Sequence, residues 1–160
     1  MSGQKVLSNQ MPIAIKNSLI DISSEETTKE LAKNFSNYLK GGEVIFLYGE
    51  MGVGKTTFIK YLVNAFQQKN KIKITEVTSP TFNLLNQYDV NKFVVNHYDL
   101  FRLKNDGELK SLGLFEDNLN TITLIEWPEI IQKKPEKLIE LFFKYEYYYK
   151  KRSVQIKGIK

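Results

Sequence analysis

The stretch from Gly49 to Thr57 carries the most specific chemistry in the sequence. Its first eight residues, Gly49-Glu50-Met51-Gly52-Val53-Gly54-Lys55-Thr56, match the phosphate-binding pattern G-x-x-x-x-G-K-[ST] at every position. Glycine lets the backbone turn successive N–H groups inward around a phosphate. Lys55 is expected to reach the β- and γ-phosphates, and the Thr56 hydroxyl to ligate magnesium. The pattern therefore predicts a site for ATP and Mg²⁺.

Two carboxylates follow predicted strands. Asp99 comes after Phe93–Tyr98, and Glu126 comes after Thr121–Ile125. Ligands of open α/β sheets bind at the carboxyl ends of the strands, so both side chains are predicted to face the phosphates. One would hold magnesium and the other would orient the attacking water, and the residues alone leave this division open. Either carboxylate taken singly is more often an ordinary solvated group, but two of them in a chain with a P-loop favour the functional interpretation.

Two aromatic residues lie beside these carboxylates. His97, the only histidine, is two residues before Asp99 and so on the same strand face. A lone histidine is more often a packing or hydrogen-bonding residue than a catalytic base. Trp127 follows Glu126 and is predicted either to stack near the nucleotide or to pack.

The elements around the loop are readable from periodicity. The apolar run Val44–Tyr48 predicts a buried central strand that leads into the loop. After the loop, a helix ending near Gln68 is predicted from apolar residues at helical spacing: Phe58, Leu62, Val63 and Phe66. This strand-loop-helix context is the one that the phosphate-binding pattern requires.

The chain before this unit is predicted to begin with a flexible tail, residues 1–12, and a strand within Ile13–Ile22. Ser23 and Glu26 form a capping-box pattern that predicts the start of a helix. Gly41 and Gly42 are placed to end that helix.

The rest of the chain is predicted to be rich in strands. Strands are predicted at Ile74–Val77, Phe82–Tyr88, Phe93–Tyr98 and Thr121–Trp127, a short helix within Leu109–Leu119, and a hairpin formed by Leu138–Tyr149 and Ser153–Ile159 with its turn at Lys150 and Lys151. The expected fold class is α/β: a single P-loop NTPase domain, residues 13–160, with a central mixed sheet flanked by helices and a C-terminal β-hairpin.

Composition narrows the class of protein. The 160 residues include no cysteine, which excludes disulfides, thiolate–zinc sites and thiol nucleophiles. No apolar run is long enough to span a bilayer, and we expect a soluble, cytoplasmic protein. The net charge of +5 permits contact with nucleic acid or an acidic protein. A high lysine content that reflects only the base composition of the genome explains the charge equally well.

Four motifs in order, YGEMGVGKTT (48–57), TSPTF (78–82), HYDLFR (97–102) and LIEWPE (124–129), resemble those of the TsaE family, formerly YjeE. The resemblance spans about residues 22 to 130. Members are bacterial P-loop ATPases needed to make threonylcarbamoyladenosine in tRNA. The resemblance implies partners TsaD and TsaB, of which TsaD transfers the threonylcarbamoyl group. Any contact with tRNA is expected to be indirect, and no membrane or DNA partner is expected.

The resemblance also implies roles for particular residues. Thr56 and Glu126 would ligate magnesium, and Asp99 would be needed for hydrolysis. The segment 79–81 is similar to a nucleotide-sensing switch, and Arg152 is a candidate for a C-terminal nucleotide contact. Together with the loop chemistry, the predicted catalytic residues are Lys55, Asp99 and Glu126; the predicted nucleotide-binding residues are Thr28, Gly49, Glu50, Met51, Gly52, Val53, Gly54, Lys55, Thr56, Thr57 and Trp127.

Two other functions fit parts of the sequence. A small-molecule kinase also uses a P-loop, but such enzymes usually clamp phosphates with several arginines, and this chain has only Arg102 and Arg152. A nucleic-acid-binding module would use the aromatic and basic segment YEYYYKKR (145–152) for stacking. Alternating aromatics in a terminal hairpin are more often sheet packing.

Overall fold

The computed structural model describes residues 18–80, 82–116 and 119–159. Seven strands and three α-helices are formed within these ranges: β1 (Leu19–Asp21), α1 (Glu25–Tyr38), β2 (Val44–Tyr48), α2 (Lys55–Lys69), β3 (Leu85–Asp89), β4 (Val94–Asp99), α3 (Asp106–Lys110), β5 (Thr121–Glu126), β6 (Leu138–Glu146) and β7 (Lys151–Lys157). A 3₁₀ turn, Pro128–Ile130, follows β5. The predicted tail, residues 1–12, lies outside the described residues.

The strands form one mixed sheet in the order β1-β7-β6-β2-β5-β4-β3. The four inner strands β6, β2, β5 and β4 are mutually parallel. The outer strands β3, β7 and β1 run antiparallel to their neighbours, and β6 and β7 form the C-terminal hairpin. The predicted α/β fold with a central mixed sheet and a C-terminal hairpin is confirmed.

Side-chain alternation divides the core between the two faces of the sheet. Ile45 and Leu47 of β2 belong to the larger cluster, with the apolar faces of α1 and α2. Val44 and Phe46 belong to the smaller cluster on the opposite face. The segments that follow β4 and β5 cover this second face, the first with Leu100 and Leu114 and the second with Ile131. A strand covered on both faces must be apolar throughout, which is why β2 reads as an unbroken apolar run.

Helix α2 carries the predicted apolar face. Phe58, Leu62, Val63 and Phe66 are all buried, and the helix ends at Lys69, one residue beyond the predicted end. Phe66 packs edge-on against Phe93, and Phe58 against Phe35 of α1. This packing fixes the helix, and therefore its first turn, against the sheet.

The start of α1 differs from the sequence prediction. Ser24, not Ser23, is the N-cap, and its hydroxyl accepts a hydrogen bond from the amide of Glu26. Ser23 instead contacts β7, where its hydroxyl accepts a hydrogen bond from the amide of Arg152. Of the strand predicted within Ile13–Ile22, residues 19–21 form β1, and residues 13–17 lie outside the described residues.

The strand predicted at Ile74–Val77 does not form. Side chains of α2 form hydrogen bonds with the backbone of this segment instead. Gln67 accepts from the amide of Thr75, and Asn64 donates to the carbonyl of Thr75. These bonds replace the neighbouring strand that Thr75 would otherwise need.

Three further boundaries differ. Strand β3 begins at Leu85 rather than Phe82, because a turn closes when the amide of Leu84 bonds the carbonyl of Pro80. The short helix begins earlier, at Asp106, since Asn105 caps it. The hairpin turns at 147–150, and Lys151 already pairs with Glu146.

Among the described residues, no helix is both long and apolar enough to span a membrane.

Candidate active site

The register of the parallel strands brings the loop and the two carboxylates together. Leu47 of β2 is paired with Glu126 of β5, and Glu126 is paired with Asp99 of β4. The loop after β2 therefore lies beside the carboxyl ends of β5 and β4. This is the edge at which ligands of open α/β sheets bind.

A cavity of about 300 Å³ opens at this edge. It is lined by Met51, Gly52, Gly54, Lys55, Thr56, Thr57, Ser79, Asp99, Phe101, Glu126 and Trp127. Larger cavities of about 380, 460 and 510 Å³ lie elsewhere on the protein, and none of these three contains a predicted site residue. We call the first cavity the loop cavity, because it combines loop residues with both carboxylates.

The loop has the backbone that its glycines allow. Gly54, the N-cap of α2, has φ 122°, and it provides no side chain to cap the helix. Gly49 has φ 144°, and an added Cβ there would lie 2.8 Å from the carbonyl oxygen of Phe143. The first N–H groups of a helix lack hydrogen-bond partners within it, and at the start of α2 no capping side chain accepts a hydrogen bond from them. The N-terminus of α2 can therefore offer amides and partial positive charge to an anion.

Lys55 is buried at the start of α2 and lies over the loop cavity. Its ammonium group donates to the carbonyl of Gly49 and stands 3.8 Å from the centroid of the Trp127 ring. Burial lowers the pKa of Lys55 below the usual 10.5, although Glu126, Glu129 and Asp99 act in the opposite direction.

Thr56 and Glu126 are hydrogen-bonded where α2 meets β5. The Thr56 hydroxyl lies 3.2 Å from Oε1 and 3.1 Å from Oε2 of Glu126. Nε2 of His97 lies 2.6 Å from Oε2 of the same carboxylate, and both side chains are buried. A hydroxyl and a carboxylate are hard oxygen donors of the kind that Mg²⁺ prefers.

Asp99 is fixed by two donors. The Ser79 hydroxyl donates to Oδ2 at 3.0 Å, and the amide of Phe101 donates to Oδ1 at 3.0 Å. These two hydrogen bonds hold the carboxylate in place, and Asp99 lines the loop cavity. Ser79 lies two residues after Ile74–Val77, where the predicted strand does not form, so an irregular part of the chain provides this contact to the site.

Trp127 adopts the left-handed conformation, with φ 58° and ψ 55°. A bulky residue rarely adopts this conformation, which costs about 1 to 3 kcal/mol when surrounding contacts impose it. The turn places the indole beside Phe101, with ring centroids 4.8 Å apart, and against Lys55.

The C-terminal hairpin also contacts the loop. The Tyr145 hydroxyl donates to the carbonyl of Gly52 at 2.7 Å. A Cβ on Gly54 would lie 3.7 Å from a guanidinium nitrogen of Arg152, whose other nitrogen donates to the carbonyl of Ser23. Arg152, the candidate for a C-terminal nucleotide contact, therefore lies beside the loop.

The predicted residues fall into two groups. Met51, Gly52, Gly54, Lys55, Thr56, Thr57, Asp99, Glu126 and Trp127 line the loop cavity. Gly49, Glu50, Val53 and Thr28 are not among the lining residues, and Thr28 is buried in α1. Thr81 of the switch-like segment lies outside the described residues. The binding roles stay predictions.

Sequence reasoning missed Phe101 and Tyr145. Phe101 could have been found from its position two residues after Asp99. Tyr145 gives no such local signal, because it is 93 residues from Gly52 and is brought there by the pairing of β6 with β2. His97 was expected to pack or to form hydrogen bonds, and it bonds Glu126.

The site residues fit a magnesium ion that is bound together with a nucleotide. The described residues hold no group of three or more His, Cys, Asp or Glu side chains suited to a metal. Thr56 and Glu126 offer two oxygen donors, and Mg²⁺ is usually bound by one or two protein ligands with phosphate oxygens and waters.

Residues 22–154 match the family model described as "Threonylcarbamoyl adenosine biosynthesis protein TsaE". A Rickettsia bellii protein named tRNA threonylcarbamoyladenosine biosynthesis protein TsaE is 43% identical over 129 residues, which cover 80% of this chain and 87% of that protein. A Rickettsia conorii protein of the same name is 45% identical over 112 residues, covering 69% of this chain and 61% of the relative.

A solved structure shares the fold. The crystal structure of Bacillus subtilis YdiB superposes with a TM-score of 0.68, covering 91% of this chain and 87% of that one. At 23% identity this likeness concerns the fold alone.

Proposed function

The chain belongs to the TsaE family of threonylcarbamoyl adenosine biosynthesis proteins, and from this premise we propose that it is a magnesium-dependent ATPase that supports the modification of tRNA. The observation that carries the proposal is the convergence of Lys55, Thr56, Asp99 and Glu126 at the mouth of one loop.

Each residue has a role that its contacts support. Lys55 and the first amides of α2 bind the phosphates, because they place positive charge at one end of the loop cavity. Thr56 and Glu126 hold the metal, which when bound would neutralise phosphate charge. Asp99, held at the cavity wall by Ser79 and Phe101, orients the attacking water.

The position of the two arginines favours an ATPase over a small-molecule kinase. Arg152 is bonded to the carbonyl of Ser23, and Arg102 lies over the ring of Phe82 at 5.5 Å. Neither lines the loop cavity. A kinase usually needs arginines that clamp phosphates over an acceptor pocket.

In the proposed role, ATP binding and hydrolysis drive cycles of a complex with TsaD and TsaB, and turnover of the isolated protein is slow. Slow turnover is expected because many ATPases complete their charge stabilisation with a group from a partner. The protein would touch tRNA through these partners, and it would act in the cytoplasm.

The test is calorimetric titration with Mg–ATP, followed by ATPase assays with and without TsaD and TsaB. The wild type should bind ATP, and the partners should raise its turnover. Lys55→Ala should abolish binding or hydrolysis while leaving the melting temperature nearly unchanged; Lys60→Ala, an exposed lysine of the same helix, is the control. A folded wild type that releases no binding heat would refute the site, and binding without stimulation would refute the role of the partners.

A further inference from the structure

His97 has no part in the chemistry proposed above, yet it is the most deeply buried polar side chain beside the site. It is 0% exposed and lies on the same face of β4 as Asp99. Its Nε2 is 2.6 Å from Oε2 of Glu126, which is the shortest of the three contacts that this carboxylate makes with Thr56 and His97.

The other ring nitrogen identifies the donor. Nδ1 of His97 is buried and has no hydrogen-bond partner among the described residues. A buried N–H without a partner costs more than an unprotonated nitrogen that merely lacks a donor, so the proton belongs on Nε2. Nε2 therefore donates to Oε2, and Nδ1 carries no proton.

This bond has a consequence for the metal. With Oε2 accepting from His97, Oε1 is the oxygen that the histidine leaves free. Ligation through both oxygens would compete with the histidine bond. Mg²⁺ demands near-ideal octahedral geometry, whereas the larger Ca²⁺ accepts bidentate carboxylates readily.

We propose that His97 is a positioning residue that holds the Glu126 carboxylate for ligation through one oxygen, and that it thereby makes the site select Mg²⁺ over Ca²⁺. The inference rests on the proposed nucleotide site and adds a determinant of metal choice to it. Loss of a hydrogen bond to a metal ligand commonly lowers metal affinity by about 10- to 100-fold. Because Ca²⁺ tolerates bidentate carboxylates and Mg²⁺ does not, this loss should fall on Mg²⁺ and change the selectivity on that scale.

The first test uses the wild type alone. Because His97 is the only histidine, nitrogen-15 NMR of histidine-labelled protein reports its tautomer without assignment. Folded, metal-free protein should show the proton on Nε2. A proton on Nδ1 would make Nε2 an acceptor and would overturn the proposal.

The second test measures the affinity of a fluorescent ATP analogue with Mg²⁺, with Ca²⁺ and with EDTA. His97→Leu should lower the ratio of the Mg²⁺ to the Ca²⁺ affinity about 10- to 100-fold and leave the affinity in EDTA unchanged. His97→Gln, whose amide nitrogen can replace Nε2 as a donor, should restore the ratio. His97→Met replaces His97→Leu if the leucine variant does not fold.

The outcomes separate the two proposals. If the wild type binds the analogue with Mg²⁺ and the apolar variant keeps the wild-type ratio, the role of His97 is refuted while the nucleotide site stands. If the wild type does not bind the analogue at all, the nucleotide site fails first. A loss of affinity that is equal with Mg²⁺, Ca²⁺ and EDTA marks a structural role and also overturns the inference.

Discussion

The Lys55 ammonium group stands 3.8 Å from the centroid of the Trp127 ring and donates to the carbonyl of Gly49. The ring and the carbonyl are both contacts of the cation that the proposed function assigns to phosphate binding. Under that proposal, a bound phosphate would replace at least one of these contacts. Since Trp127 is the only tryptophan, this exchange takes place beside a single intrinsic fluorophore.

ATP affinity should fall at alkaline pH because of Lys55. Burial lowers its pKa below 10.5, and bound phosphate would raise the pKa again by favouring the charged form. Between these two pKa values the free protein has lost a proton that the complex holds, so binding takes up a proton and weakens as pH rises. Calorimetry in two buffers of different ionisation enthalpy, at about pH 7 and about pH 9.5, measures this uptake.

The control for the pH effect is Lys55→Arg, whose guanidinium stays protonated across this range. It should bind without proton uptake. Affinity of the wild type that stays constant across the range would contradict the assignment of Lys55 to the phosphates.

Asp99→Asn should slow hydrolysis and spare binding. The amide keeps the shape of the carboxylate and can still accept from Phe101, but it cannot orient water as a charged acceptor does. We expect kcat to fall about 10²- to 10⁴-fold with little change in ATP affinity. Asp106→Asn, an exposed carboxylate of α3, should change neither. Turnover of the Asp99 variant at the wild-type rate would exclude the residue from catalysis.

Local sequence was enough to predict the loop and the strand and helix that flank it, but not the contacts that more distant segments make with them. The strand, loop and helix around Lys55 are contiguous, so spacing and periodicity were enough to place them. The contacts of Tyr145 with Gly52 and of Gln67 with Thr75 depend on which elements pack together. The failed strand at Ile74–Val77 has the same cause, because its composition suits a strand but its hydrogen bonds go to side chains of α2.

Phe66→Ala should destabilise the fold strongly. Phe66 is 1% exposed and packs edge-on against Phe93, so truncation leaves a cavity between α2 and the sheet. Loss of a buried phenyl ring costs about 3 to 5 kcal/mol. Chemical denaturation measures this cost, with Phe82→Ala as the matched control. Phe82 is 84% exposed, so its truncation should change the unfolding free energy by less than about 0.5 kcal/mol. Equal costs for the two variants would contradict the placement of the core.

Gly41→Ala should also destabilise the protein, through the backbone rather than through lost packing. Gly41 has φ 115°, and an added Cβ would lie 2.0 Å from the carbonyl oxygen of Leu119, at the start of the turn into β5. Neither atom can move without shifting main chain, so we expect a loss of more than about 2 kcal/mol in the free energy of unfolding.

Gly107→Ala provides the control for this substitution, because its Cβ would meet only the side chain of Asn105, at 3.2 Å, in helix α3. Alanine is favoured over glycine within a helix, which offsets that contact, so the change should stay within about 1 kcal/mol. Unfolding in urea at neutral pH compares the two variants. If Gly41→Ala unfolds at the same midpoint as Gly107→Ala, then the chain does not pass as close to Leu119 as the structure places it.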